Sequence, residues 1–314
     1  MQSVRIISMK MKDKCLPCLV NQVIKVADIT KAKKREQILH EVFAYLSSVD
    51  FNKTNPEISG ETFRIIKKYL GNEDPYLEVR NYYNDLLMKL SKNYEEKISV
   101  SEDNFYQAMK YAVIGNIIDF NPIHNSTLEE IMDFINQADN LKFQINHIGQ
   151  LKQEIQKAQT ILYLGDNCGE ICFDKIFIKE IKKQNPYLKV YFGVRGEPVI
   201  NDSIEVDAYA VGMDEYAMVV SNGDGSLGTV LERTSAEFQK IFEQADVIIA
   251  KGQANYECLS ECDKSGIYFL LMTKCEVIAE DIGVPVKSLI CMKNKLPKNA
   301  TEVYESVNIC KTKG

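Results

Sequence analysis

The sequence predicts an α/β protein in which an all-helical N-terminal part precedes a mostly parallel sheet covered on both faces. Three observations predict it. Up to about His147 the apolar residues recur at helical spacing and glycine is rare; beyond Leu151 short apolar runs alternate with helical patterns; and those runs end in clusters of polar residues. Alternation of strand and helix brings successive strands side by side in parallel, because each helix carries the chain back over the sheet. The division falls at residue 150, with a helical bundle over 1–150 and an α/β/α unit over 151–314.

In the helical part, Leu19, Val20, Val23, Ile24 and Ala27, and then Ile38, Val42, Phe43 and Leu46, lie three and four apart, which places each group on one helix face. Pro17 suits the first turn of its helix, where a missing N–H leaves nothing unpaired. Asn55-Pro56, Gly71 to Pro75 and Asn121-Pro122 interrupt the pattern between helices. The stretch Ala112 to Phe120 is unusual, because Gly115, Asn116 and Asp119 sit inside a strongly apolar run. Asn116 and Asp119 are three apart and share a side; they either satisfy backbone within the core or reach a polar site.

After a polar helix over Leu151 to Ala158, the expected strands are Thr160 to Leu164, Lys189 to Val194, Ala208 to Val211, Val247 to Ala250, Ile267 to Met272 and Pro285 to Ile290. Helices are expected over Ile171 to Asn185, Thr229 to Gln244 and Cys275 to Ile282. The tail beyond Leu296 is polar and reads as peripheral.

Composition narrows the function. With 314 residues, 45% of them hydrophobic and 26% charged, the chain is long enough to bury a sizeable core and has an ordinary globular balance. No run approaches the roughly 20 apolar residues that span a bilayer, and Met1 to Lys14 carries charges rather than a signal-peptide core, so no membrane partner and a cytoplasmic home are expected. A net charge of -6 gives no broad basic field for nucleic acid, and the Lys31 to Arg35 run reads as a solvated helix face. Small molecules are the expected ligands. Nine cysteines, an odd number spread along a long chain, read as reduced thiols rather than a disulfide framework. Cys15-Leu16-Pro17-Cys18 leaves open plain packing at a helix start, a redox pair or half of a zinc site.

The chemistry gathers at the strand ends. Ile161 to Leu164 stops abruptly at Gly165-Asp166-Asn167, and open α/β sheets place ligands at the carboxyl ends of their strands. Asp166 and Asn167 are hard oxygen donors that suit a divalent cation, or else one of them caps the following helix. The second strand is followed by Arg195-Gly196-Glu197 and then Asn201-Asp202, which repeats the acid-and-amide pairing. The fourth is followed by Lys251-Gly252-Gln253-Ala254-Asn255-Tyr256-Glu257, and the fifth runs into Thr273-Lys274. Carboxylates, amides and lysines at four strand ends point to one shared cleft. Two carboxylates and an amide fix a hard cation with positions left open, and nearby lysines offset a phosphate's charge, which is the equipment for metal-assisted phosphomonoester hydrolysis. The glycine-rich Ser221 to Thr229 offers either an anion-binding turn or a mobile loop with Thr229 as a helix cap. The sequence holds no GxxxxGK(S/T), GxSxG or HExxH, and Asp166 lacks the second aspartate two places on that aspartyl-phosphate chemistry uses.

Taken together, Gly165 to Glu170, Arg195-Gly196 with Asn201-Asp202, Lys251 to Glu257 and Gly115 to Phe120 resemble the damage-control phosphatases, once called domain of unknown function 89. Cys15-Leu16-Pro17-Cys18 resembles the mark of their CxxC-bearing, mainly prokaryotic branch. The resemblance spans about Lys14 to Leu296. It implies a helical N-terminal domain on a Rossmann-like α/β/α domain, with Asp166, Asn167 and Asp202 as ligands of Mg²⁺, Mn²⁺, Co²⁺ or Ni²⁺. It also implies Gln253 to Glu257 as a substrate-binding segment and Lys274 as a contact to substrate phosphate, although the arginine of the related Arg-Thr-x-Lys motif is absent from Leu271-Met272-Thr273-Lys274. The expected activity is hydrolysis of phosphate esters of small metabolites. Lys251 is expected to offset phosphoryl charge; Asn116, Asp119, Arg195, Asn201, Gln253, Asn255 and Glu257 are expected to bind or orient substrate. Two other readings remain: a transferase with a nucleoside cofactor on a Rossmann-like core, and a non-catalytic thiol or metal-sensing module.

Overall fold

The computed structural model describes residues 9–116 and 128–294. Its helices α1 (Leu16–Ile29), α2 (Arg35–Leu46), α3 (Asn55–Leu70), α4 (Leu77–Ser99), α5 (Asn104–Gly115) and α6 (Leu128–Ala138) come first. Then follow β1 (Phe143–Asn146), α7 (Ile148–Lys157), β2 (Thr160–Leu164), α8 (Ile171–Gln184), β3 (Lys189–Val194), α9 (Glu205–Ala210) and β4 (Met218–Ser221). The chain continues through α10 (Ala236–Gln244), β5 (Val247–Lys251), α11 (Gly252–Leu259), β6 (Ile267–Met272), α12 (Glu276–Ile282) and β7 (Leu289–Lys293).

The seven strands form one sheet in the order β1-β7-β6-β5-β2-β3-β4. Every neighbouring pair is parallel except β6 and β7. From β2 the chain winds outward through β3 to β4, then returns to β5 and winds the other way. The reversal leaves a crevice between β2 and β5 at their carboxyl ends.

Side-chain alternation along the strands builds two cores. Ile161, Tyr163, Val190, Phe192 and Ile249 face α4, α5, α7 and α8. Leu162, Leu164, Ile248, Ala250 and Phe269 face α10, α11 and α12, with Leu19 of α1 and Ile58 of α3 in the same cluster. Helices from the first part of the chain therefore cover both faces of the sheet. Local signals set their ends: Pro17 lies in the first turn of α1, Thr54 accepts the Glu57 N–H at the start of α3, and Gly71 closes α3 in the left-handed region at φ 62°.

Four sequence expectations are corrected. Ala208 to Val211 is not a strand; Asp207 accepts the Ile204 N–H at 3.0 Å and starts the turn of α9, and β4 is the later run Met218–Ser221. Phe143–Asn146, read as helical, is the edge strand β1, too short for a period-2 pattern to declare itself. The last strand begins at Leu289 rather than Pro285, because Thr273 holds Pro285 and Ser288 in a loop. The expected helix from Thr229 starts only at Ala236, where Ser235 accepts the Phe238 N–H. Of the glycine-rich Ser221 to Thr229, Ser221 ends β4 and Asn222 onward is a loop folded around its own acid: Asp224 accepts the Ser226 N–H and side-chain donors from Arg64 and Arg233.

Candidate functional site

The ends of β2 and β5 carry Asp166 and Lys251 to the crevice, and the turn after β3 brings Asp202 beside them. That turn is tied to the end of β2 through the backbone, with the Ser203 hydroxyl adding a bond to the Asp166 carbonyl at 3.1 Å. Cys168 N–H donates to the Asn201 carbonyl at 2.8 Å and Ser203 N–H to the Asp166 carbonyl at 2.8 Å, with Asn167 and Asp202 bridged as an antiparallel pair. Ile200 takes φ 47°, a costly conformation for a β-branched residue, one step before Asn201. Gly252 is obligatory. At φ 77° it brings α11 so close that a Cβ would fall 1.9 Å from Asp166 Oδ2.

Asp166 and Asp202 are both buried. Arg195, also buried, donates from Nε to Asp202 Oδ2 at 2.7 Å, and its terminal nitrogen lies 3.7 Å from Asp166 Oδ1. Asp166 Oδ2 accepts from Asn116 Nδ2 at 2.7 Å and Asn167 Nδ2 at 3.0 Å. Burial, with Asp202 and Glu170 adding like charge, pushes the Asp166 carboxyl up to about 7. Burial also raises Asp202, against the pull of Arg195.

Behind these residues lies a second buried cluster, in which sequence reasoning named Asn116 and Lys251 but not Glu170 or Asp174. Glu170 Oε2 accepts from Asn116 Nδ2 at 2.8 Å, from the Asn167 N–H at 3.3 Å and from Asn167 Nδ2 at 3.2 Å. Lys251 donates to Glu170 Oε1, to Asp174 Oδ1 at 2.5 Å and to the Ala112 carbonyl at 2.9 Å, which engages all three of its ammonium hydrogens. Tyr163 donates to Asp174 at 2.7 Å, and burial pushes that carboxyl up to about 7. The available signal was Asp174 itself, a lone acid among Ile171, Cys172, Phe173, Ile176 and Phe177, four residues after Glu170 on the same helix face.

The remaining expected residues divide by their contacts. Asn201 donates to Asn167 Oδ1 at 2.9 Å. Asn255 binds the Gly165 and Lys251 carbonyls and accepts from Thr229, so it ties β2 to β5. Lys274 is exposed, and its charge acts on Asp166. Gln253 accepts the Lys274 N–H through Oε1 and reaches Cys275 Sγ through Nε2. Glu257 lies on the part of α11 that faces Asn55 and Cys15, and burial pushes its carboxyl up to about 8. Asp119 lies outside the described residues. The N-cap of α8 is Glu170, without a side-chain cap bond, so neither Asp166 nor Asn167 serves that role. Cys15 is buried at the N-cap of α1, Cys18 is exposed one turn on, and burial raises both thiols; among the described residues every cysteine is free.

Four buried carboxylates, Asp166, Glu170, Asp174 and Asp202, thus face two buried cations, Arg195 and Lys251. Among the described residues no three His, Cys, Asp or Glu side chains form a ready-made metal cage. A donor set of Asp166, Asp202 and the Asn167 amide oxygen has only two such side chains with an amide as the third, and it suits a hard divalent cation that keeps positions for water or a substrate oxygen. Carboxyl groups outnumber buried cations by two in this crevice, and a divalent ion would supply the missing positive charge.

Comparisons with known proteins agree with this architecture. A family model described as the Damage-control phosphatase ARMT1-like domain matches residues 11–290. The chain is 34% identical to a damage-control phosphatase of Pyrococcus horikoshii, over 91% of this chain and 99% of the relative. It is 33% identical to a damage-control phosphatase of Archaeoglobus fulgidus, over 90% of this chain and 98% of the relative. The crystal structure of a DUF89 family protein from P. horikoshii superposes with a TM-score of 0.85 at 33% identity, covering 91% of this chain and all of that one. The match spans helices, sheet and crevice alike, and the chain belongs to the damage-control phosphatase ARMT1-like domain family.

Proposed function

We propose that this protein is a divalent-metal-dependent phosphatase acting on phosphate esters of small metabolites, such as sugar phosphates or damaged phosphometabolites. The observation that carries the reading is the imbalance at the sheet's reversal point, where four buried carboxyl groups, Asp166, Glu170, Asp174 and Asp202, meet only two buried cations, Arg195 and Lys251. Names of the relatives support phosphatase chemistry.

Asp166, Asn167 and Asp202 would hold Mg²⁺, Mn²⁺, Co²⁺ or Ni²⁺. When bound, such an ion supplies Lewis-acid polarisation of a phosphoryl oxygen and a lowered pKa for water. Arg195 keeps the two aspartates together against their repulsion. Lys274, the exposed cation acting on this site, offsets charge that builds on the phosphoryl oxygens. Asn201 orients the Asn167 oxygen, and Gln253 fixes the backbone that carries Lys274. Lys251 serves the site through Glu170 rather than through the phosphate. No helix among the described residues is long and apolar enough to cross a membrane, and free thiols accord with a cytoplasmic setting.

Phosphate release from sugar phosphates and an aryl phosphate, with each metal or with chelator, tests the reading on wild type and Asp166→Ala. Metal-dependent release that disappears in the variant supports it. Absence of release with every metal would overturn it, and stabilisation by a nucleoside cofactor without metal would then favour the transferase.

A further inference from the structure

The mechanism leaves one buried group without a task. Glu170 is fully buried and touches the amide groups of both Asn116 and Asn167. An asparagine amide is symmetric in shape but not in chemistry, since one end donates and the other accepts. A cation needs the accepting end. In the absence of a fixed partner, either side chain turns over by a rotation of its terminal torsion at little steric cost.

The carboxylates remove that freedom. Asn167 Nδ2 donates to Asp166 Oδ2 and Glu170 Oε2, which turns its Oδ1 the other way, where it meets Asn201 Nδ2 at 2.9 Å. Asn116 Nδ2 donates to the same two carboxylates at 2.7 and 2.8 Å, and its Oδ1 is left buried without a partner. A buried acceptor with no donor is costly unless something else satisfies it. Glu170 is itself held in place: Lys251 bonds its other oxygen and is braced by Asp174 and the Ala112 carbonyl.

We propose that Glu170, anchored by Lys251, is a positioning residue that fixes the amide orientation of Asn116 and Asn167 so that their carbonyl oxygens face the cation and its attached ligands. This rests on the metal-dependent reading above. Asn116 thereby becomes a further oxygen donor to the site, contributed by the C-terminal end of α5 from the helical part of the chain.

Calorimetric titration with Mn²⁺ in the absence of substrate tests it. Wild type must first bind Mn²⁺; a flat wild-type titration overturns the metal reading and this inference with it. Given wild-type binding, Glu170→Gln puts an NH₂ group where an acceptor stood, and its Mn²⁺ affinity is expected to fall about 10- to 100-fold, the usual effect of losing a group that orients a metal ligand. At saturating Mn²⁺ the substrate KM stays within about twofold of wild type, because no substrate contact is removed. Glu170→Gln leaves Lys251 its Asp174 partner, and Glu170→Ala, which removes the acceptor without adding a donor, guards against a folding failure of the first change. Tyr163→Phe, at the far end of the same cluster, lowers Tm but leaves Mn²⁺ affinity unchanged. Wild-type Mn²⁺ affinity in a folded Glu170→Gln or Glu170→Ala variant would overturn the proposal. Equal weakening in Tyr163→Phe would overturn it too, since general loosening of the core would then explain the loss.

Discussion

Arg195 donates from Nε to Asp202 Oδ2 at 2.7 Å across a turn of six intervening residues, and the same guanidinium lies beneath Asp166. One buried cation thus faces two aspartates from different strand ends. Glutamine at this position leaves two buried carboxylates without their counter-charge. Arg195→Gln is expected to lower metal-free stability by about 3–5 kcal/mol, the range for breaking a buried pair. Urea denaturation checks it, with saturating Mn²⁺ expected to restore part of the loss.

The raised carboxyls predict a pH dependence. Asp166 and Asp174 lie at about 7 in the folded protein, above the ordinary 3.8. Between those values the folded state binds more protons than the unfolded state, so the metal-free protein loses stability as pH rises from about 4 through 7. Metal binding runs the other way, because the carboxyls must be ionised to ligate. Denaturation with chelator at pH 5 and pH 8 should give the higher stability at pH 5, while Mn²⁺ affinity should be higher at pH 8.

Gly252→Ala places a methyl group on top of Asp166 Oδ2 at a backbone angle that alanine resists. Asp166 must move. Metal affinity is expected to fall at least about tenfold, the lower bound for disturbing a group that holds a metal ligand, and calorimetry reads it directly.

Lys274 is exposed, so its removal costs no packing. Lys274→Ala should leave Tm unchanged and lower kcat/KM by about 10²-fold, the scale of a lost charge-stabilising donor. Steady-state kinetics alongside a thermal melt separates the two effects.

The paired Cys15→Ser, Cys18→Ser variant is expected to keep wild-type phosphatase turnover and lose only modest stability from the buried Cys15. Loss of turnover without loss of fold would return weight to the thiol reading.

Much of the fold was legible because its signals are local. Thr160 to Leu164 and Lys189 to Val194 are apolar runs bounded by turn residues, and both strands form over those residues. Short elements were not legible. Four residues carry too little periodicity to distinguish β1 from a helix end, and Asp207 turned an apolar run into α9 through a capping bond and an ion pair with Arg80, 127 positions away. Within the site, Asp166, Asn167 and Asp202 announced themselves as polar residues at strand ends, because chain reversal forces strand ends to one edge of the sheet.

By itself the sequence determined the α/β class, the central strands and the acid-and-amide pairs, since burial periodicity and side-chain chemistry are properties of neighbouring residues. Only the tertiary structure decided what each charge does. Lys251 and Arg195 read as candidates for phosphate or substrate contact, yet folding directs Lys251 to Glu170 and Asp174 and Arg195 to the two aspartates. Asn116, between a core role and a site role in sequence, is brought to Asp166 by α5 docking beside α8. The physical reason is that a charge's role depends on its counter-charge, and the counter-charges of Lys251, Asp174 and Glu170, lie 77 and 81 positions away in the chain.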